Sequence, residues 1–240
     1  MEGQAPPGRS IEKSLKGLDK IPPYILDPLF AAYMKGAYFT LKTRHAAGWD
    51  GVSNIYADLP ESSEQCLHPE KYLEKKRDRP TPVALPDMAY LNDNGWKLLD
   101  SAIHGELYLR LLLTVQGLKS KESKAATEGW DGDLYRAYGT KEGGTLVVLA
   151  TTWDSEEDAK EFFDAYHAIL PNKYHDFMEA ESDGAKEGEA SVRFDCGGDP
   201  LGAGVLVLRK RDCFVVEGAP KDLCDRIVKD LLATEIKNVE

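Results

Sequence analysis

With 240 residues, 42% of them hydrophobic and 30% charged, the chain can bury one large core or two small ones. A formal charge of −11 argues against sequence-independent nucleic-acid binding, which needs a basic footprint, and disfavours anionic membrane surfaces for the same reason. No apolar run reaches the roughly 20 residues that span a bilayer, and no signal-peptide pattern opens the sequence. The expectation is a soluble protein that is either cytoplasmic or a piece whose export signal lies elsewhere.

Residues 1–10 are rich in Pro and Gly and read as frayed, and Ile11–Leu18 as a short helix. Pro22-Pro23 stops that helix, and Tyr24–Thr43 then carries Ile25, Leu26, Leu29, Phe30, Tyr33, Ala37, Tyr38 and Leu41 at helical spacing. That aromatic stripe reads as core. Gly48 supplies a left-handed helix end, and Trp49–Tyr56 forms a second short helix. Prolines at 80, 82 and 86 predict an extended connection. A helix capped by Asn94 is expected over Gly95–Gln116, with Trp96, Leu98, Leu99, Ile103, Leu107, Leu111 and Val115 as its apolar positions.

At Gly129 the period changes. Asp133–Tyr138 and Thr145–Trp153 read as strands of a hairpin turning through Lys141-Glu-Gly-Gly144. Ser155 caps a helix that Pro171 stops. Residues 181–189 form an acidic loop. Three further strands follow at Ser191–Cys196, Ala203–Arg209 and Cys213–Glu217, and Pro220 opens a last helix. The predicted class is α+β: a mainly helical lobe over 1–125, then over 126–240 an antiparallel ββαβββα module with its helices packed on one face.

Pro60–Lys76 is the densest motif. Ser62 and Gln65 have capping-box spacing, and Pro69 pushes His68 out of helical geometry. A histidine at a bend can meet a ligand or can brace local backbone, and the residues leave both open. Elsewhere the chemistry is sparse. Cys66, Cys196, Cys213 and Cys224 show no C-x-x-C spacing, so free thiols or one Cys196–Cys213 bridge are the alternatives. Asp131 and Asp133 around Gly132 could hold a hard cation, but read better as a turn into a strand. His167 and His175 lack any familiar metal-ligand spacing, and no nucleophile turn, P-loop or dinucleotide fingerprint occurs.

Tyr33 to Gly36, G-W-D-G-V around Trp49, S-S-E-Q-C-L-H-P-E-K-Y from Ser62, and G-W-D-G-D-L-Y followed by T-T-W-D-S-E-E-D-A-K-E-F together mark a resemblance. The chain resembles a family of uncharacterised prokaryotic zincin-like proteins. In these a metallopeptidase domain with a His-Glu-x-x-His helix, often behind an export signal, precedes a helical lobe and an α+β module. The resemblance implies a non-catalytic C-terminal portion that scaffolds or shapes a peptide-binding cleft in an extracytoplasmic protein. Its partner would be an upstream metallopeptidase-like domain or a peptide. Glu64, Gln65, His68, Glu70 and Tyr72 are the matching motif residues and the candidate binding set. The zinc helix is absent, so no metal ligand, catalytic residue or cofactor carries over. The alternative is a free-standing module that binds a small ligand or a protein.

Overall fold

The computed structural model describes residues 18–75, 77–180, 189–197 and 202–236. The expected helix at Ile11–Leu18 lies outside them but for its last residue, and the acidic loop but for Glu189. After a single 3-10 turn at Leu18–Lys20, helix α1 runs from Pro23 to Ile55. Its start suits proline, whose missing N–H has no helical partner there anyway. Gly48, at φ 67° and ψ −164°, interrupts the helix as expected, so this span is two helices meeting at a kink, the second of them the short one expected from Trp49.

Two one-turn helices follow, α2 (Ser63–Leu67) and α3 (Pro69–Leu73), with His68 between them at φ −123° and ψ 76°. The segment from Arg77 to Pro86 is extended, as its prolines require. Next come α4 (Tyr90–Asp93), β1 (Lys97–Ala102), α5 (Gly105–Val115) and α6 (Ser120–Ala125). The helix expected over Gly95–Gln116 is thus half strand. Gly105 sits at φ +66°, which breaks a helix, and Leu98, Leu99 and Ile103 stand more than half exposed on a sheet edge.

The remainder alternates β2 (Trp130–Gly139), β3 (Thr145–Trp153), α7 (Glu156–Lys173), β4 (Met178–Ala180), β5 (Glu189–Asp195), β6 (Ala203–Arg209), β7 (Asp212–Ala219) and α8 (Lys221–Leu232). Ser155 caps α7 by accepting the Asp158 N–H at 3.1 Å, as its spacing predicts, and Pro171 falls in the last turn rather than ending it. The short β4 carries no apolar pattern, and the sequence gives no warning of it.

All seven strands join one antiparallel sheet in the order β1-β2-β3-β7-β6-β5-β4. The α+β class holds, with two refinements. First, helices cover both faces. Leu149, Leu206 and Val215 pack under α7 and α5 against Phe162, Ile169, Leu109 and Leu113. On the other side Val148, Val207 and Val216 meet Ile227 and Leu231 of α8, and Leu85, Leu91 and Trp96 of the connecting segment. Val205 to Leu208 are buried without a break, and a strand apolar on both sides needs cover on both. Second, β1 and the 85–96 segment belong to the sheet domain, so a boundary near residue 125 cuts through it; the hydrophobic period before 125 hid an edge strand.

Candidate functional site

The motif singled out in the sequence folds into a knot. Ser62 accepts the Gln65 N–H at 3.1 Å, and the Gln65 side chain reaches back to accept the Glu61 N–H at 2.9 Å. That is a capping box shifted by one residue. Gln65 also donates to the Asp78 carbonyl at 2.5 Å. Tyr72 donates to the Asp58 carbonyl at 2.7 Å and packs edge-on against Phe39 of α1. Glu64, Gln65 and Tyr72 are buried, and only Glu70 of the five candidates is exposed. These side chains hold α1, the extended segment and α5 together rather than edging a cleft.

His68 serves the same knot. Its Nε2 lies 3.1 and 3.0 Å from the two oxygens of Glu106, a fully buried carboxylate that also takes Arg110 one helical turn on. The hydrogen bond to Glu106 raises the His68 pKa against the opposing effect of burial. A histidine with a raised folded pKa contributes stability fully present below its unfolded value near 6.5 and lost as pH rises through the folded value. Urea titrations from about pH 5.5 to 8.5 should therefore show stability falling with pH, and His68→Ala should flatten that fall. An unchanged profile in the variant would remove His68 from this role.

Among the described residues one set of possible metal ligands converges, Glu64, Asp78 and Asp154. Its centre is taken by the Lys71 ammonium, at 2.7, 2.7 and 2.9 Å from the three carboxylates. Burial works against that charge, and the three partners hold it on. All four cysteines are free, so Cys196 and Cys213 form no bridge. His167 pairs with Glu179 at 3.1 Å.

The candidate site lies beside the knot. A cavity of about 390 Å³ opens between residues 61–63, residues 80–82, the start of α5 and the start of β2. Pro80, Pro82, Ile103, Leu107, Tyr108 and Trp130 make its walls largely apolar. Two close approaches shape it. A Cβ on Gly132 would stand 2.2 Å from the Thr81 carbonyl oxygen, and one on Gly105 would stand 2.5 Å from Ser63 Oγ. Both positions need glycine for the walls to meet.

Asp133 organises the floor. Its carboxylate accepts the backbone N–H groups of His104 and Gly105, each at 2.7 Å, and the Trp130 indole N–H at 2.9 Å. The first turn of α5, which has no cap of its own, is thereby capped from a neighbouring strand. Burial pushes the Asp133 carboxyl up and the three donors pull it back. Asp131 turns the other way at the β2 bulge and accepts from the Thr81 N–H and hydroxyl, so neither aspartate of the Gly132 turn is offered to a cation.

His104 leans on the Tyr135 ring at 4.2 Å between centroids, and burial lowers its pKa to about 4. It is neutral at ordinary pH. Its Nδ1 is buried with no hydrogen-bond partner and stands 3.8 Å from Asp133 Oδ1, beyond bonding distance. Ser63, His104 and Asp133 share the cavity, but Ser63 Oγ accepts the Leu107 N–H at 3.3 Å and the Asp133 oxygens are occupied. The three do not form a proton relay. Sequence reasoning passed over this site because Asp133 read as a turn and His104 fell inside the expected helix; the available signal was the Asp131-Gly-Asp133 run at the foot of a strand.

Fold and cavity together define an α+β domain built on one seven-stranded antiparallel sheet, with a small apolar pocket at the sheet's rim. The chain belongs to the family described as "Domain of unknown function (DUF8575)", whose model matches residues 97–228. No curated protein matches the chain. The extracellular domain of PknH from Mycobacterium tuberculosis is similar over 63% of this chain and 96% of its own, at 7% identity and a TM-score of 0.40. Among the described residues no helix is long and apolar enough to cross a membrane.

Proposed function

We propose that the protein is a binding module for a small, neutral and mainly apolar molecule, held in the cavity between residues 61–63, residues 80–82, α5 and β2. The observation that carries this reading is an apolar pocket of ligand size with one unpaired buried polar atom, His104 Nδ1. A neutral imidazole offers a single hydrogen bond, which would orient one polar group of the ligand. An anionic ligand would meet the Asp133 carboxylate, and that carboxylate is already engaged by three N–H donors, which favours a neutral molecule. The chemistry supported is binding, not acyl transfer. A peptide cleft edged by Glu64, Gln65, His68, Glu70 and Tyr72 is less well supported, because three of those five are buried in the knot.

The test uses the neutral fluorophore N-phenyl-1-naphthylamine on the full chain. Saturable binding is expected, weakened at least about tenfold by Leu107→Trp, which fills the pocket. Met34→Glu, on the far face of α1, serves as the control for non-specific capture and should leave binding unchanged. Equal binding by the Leu107→Trp variant, with its circular dichroism intact, would overturn the reading.

A further inference from the structure

Two side-chain contacts set the spacing between opposite walls of the cavity. One wall is Glu61 to Ser63 at the entry to α2, and the other is Gly105 to Tyr108 in α5. Where they touch, Ser63 Oγ accepts the Leu107 N–H at 3.3 Å, a long bond between neutral groups. The second contact is His68 Nε2, at 3.1 and 3.0 Å from the two oxygens of Glu106, the residue between Gly105 and Leu107. His68 sits at the bend where α2 ends and α3 begins, with its side chain 20% exposed, while Glu106 is fully buried. A bend on the first wall thus grips the very turn of α5 that forms the second.

That grip changes with one proton. A charged imidazole donates to the carboxylate across an ion pair, a bond roughly twice as strong as a neutral one. A neutral imidazole keeps at best an ordinary hydrogen bond, and Glu106 still has Arg110. Three carboxylates favour the charged ring: Glu106 on α5, Glu64 on α2, and Glu70 on α3 at 3.8 Å from Nδ1; burial opposes them. Lys71 on α3 is turned towards Glu64, Asp78 and Asp154. Burial pushes Glu64 up to about 8 against the pull of Lys71, and lowers His104 to about 4. Glu64 is therefore the rival source of a pH effect near neutrality, and His104 is not.

We propose, resting on the binding role above, that the His68–Glu106 contact is a latch on the cavity. With His68 charged, the α2 and α5 walls are clamped and the bound molecule is held. With His68 neutral, the walls part more readily and release it. The sign follows from linkage: the clamp is complete below the His68 pKa and lost as pH rises through it. Reciprocally, a molecule held by the clamped state raises that pKa.

The Leu107 amide, which spans the two walls, reports the latch with no ligand present. Its hydrogen-exchange protection, corrected for the intrinsic pH dependence of exchange, should fall about fivefold from about pH 5.5 to 8.5. The midpoint should match the His68 ring titration followed by NMR. Dissociation of N-phenyl-1-naphthylamine should quicken about fivefold over the same range. His68→Gln, which keeps a donor towards Glu106 and has no charge to lose, should abolish both trends. Constant Leu107 protection in the unaltered chain overturns the latch, whatever the fluorophore does. A fall that persists in His68→Gln belongs to Glu64 and overturns it too, as does a dissociation rate indifferent to pH. If protection behaves as expected and the fluorophore does not bind, the clamp between the walls stands and the binding role falls. Should His68→Gln fail to fold, the two midpoints in the unaltered chain decide: coincidence supports the latch, and separation overturns it.

Discussion

Replacing Asp133 by alanine is expected to cost about 4 kcal/mol of stability, a large part of what a domain this size possesses. The carboxylate is 2% exposed and serves three donors from two elements: the His104 and Gly105 N–H groups at the start of α5, and the Trp130 indole. Alanine leaves all three buried and unpaired, each costing roughly 1–3 kcal/mol, offset in part because a buried charge disappears. Asp133→Asn keeps one acceptor oxygen and should fall between the two. The damage is local as well as global. With its external cap gone, the first turn of α5 frays, and the cavity loses the wall made by Ile103 to Leu107. Urea unfolding of the two variants measures the cost. A loss below about 1 kcal/mol for Asp133→Ala would mean that water replaces the carboxylate and that Asp133 does not hold the site together.

The second large effect is expected deeper under the sheet. The Lys173 ammonium contacts Glu217 at 2.5 Å and the Tyr166 hydroxyl at 2.9 Å, and Tyr166 also reaches Glu217 at 3.1 Å. Burial opposes the lysine charge, yet the adjacent Glu217 carboxylate holds its pKa above the ordinary value. A closed pair of this kind stabilises little in itself, but leaving either half alone is expensive. Lys173→Met should cost roughly 3–5 kcal/mol by stranding Glu217, and Glu217→Leu a similar amount by stranding Lys173. The double variant Lys173→Met with Glu217→Leu should recover most of that loss, because it removes both charges together and leaves neither stranded. A double-mutant cycle on thermal unfolding reads the coupling directly. Strict additivity of the two single costs would show that the groups do not depend on each other.

Much of the sheet was legible because its strands are strongly patterned. Thr145–Trp153, Ala203–Arg209 and the turn at Lys210 follow from β-rich apolar runs and a tight charged reversal, and Ser62, Ser155 and Pro220 announce their helices. What could not be read depends on partners distant in sequence. Lys97–Ala102 looks helical by its own spacing and becomes a strand because β2 is there to pair with it. Glu106 and His68 are 38 residues apart and meet only through the fold. His104 and Glu106 stand two apart and point in different directions, and His104 meets its partners through the strand beneath it, where its backbone N–H is held by Asp133. The stripe on α1 was legible as a pattern and misread as core, since periodicity records that a face is apolar and not whether the rest of the chain covers it.

The cavity has walls of two origins. Ile103 to Tyr108 and Trp130 to Asp133 lie inside residues 97–228, the region shared across the family, whereas Glu61 to Ser63 and Pro80 to Pro82 lie outside it. Inheritance can therefore act on the two halves separately. A relative in which Asp133 and His104 were also present would keep the floor. If its preceding segment diverges, the roof over that floor changes shape without any cost to the sheet. On the proposed binding role, ligand preference would then be set by residues 61–82 while the fold stayed constant, and exchanging that segment would test it.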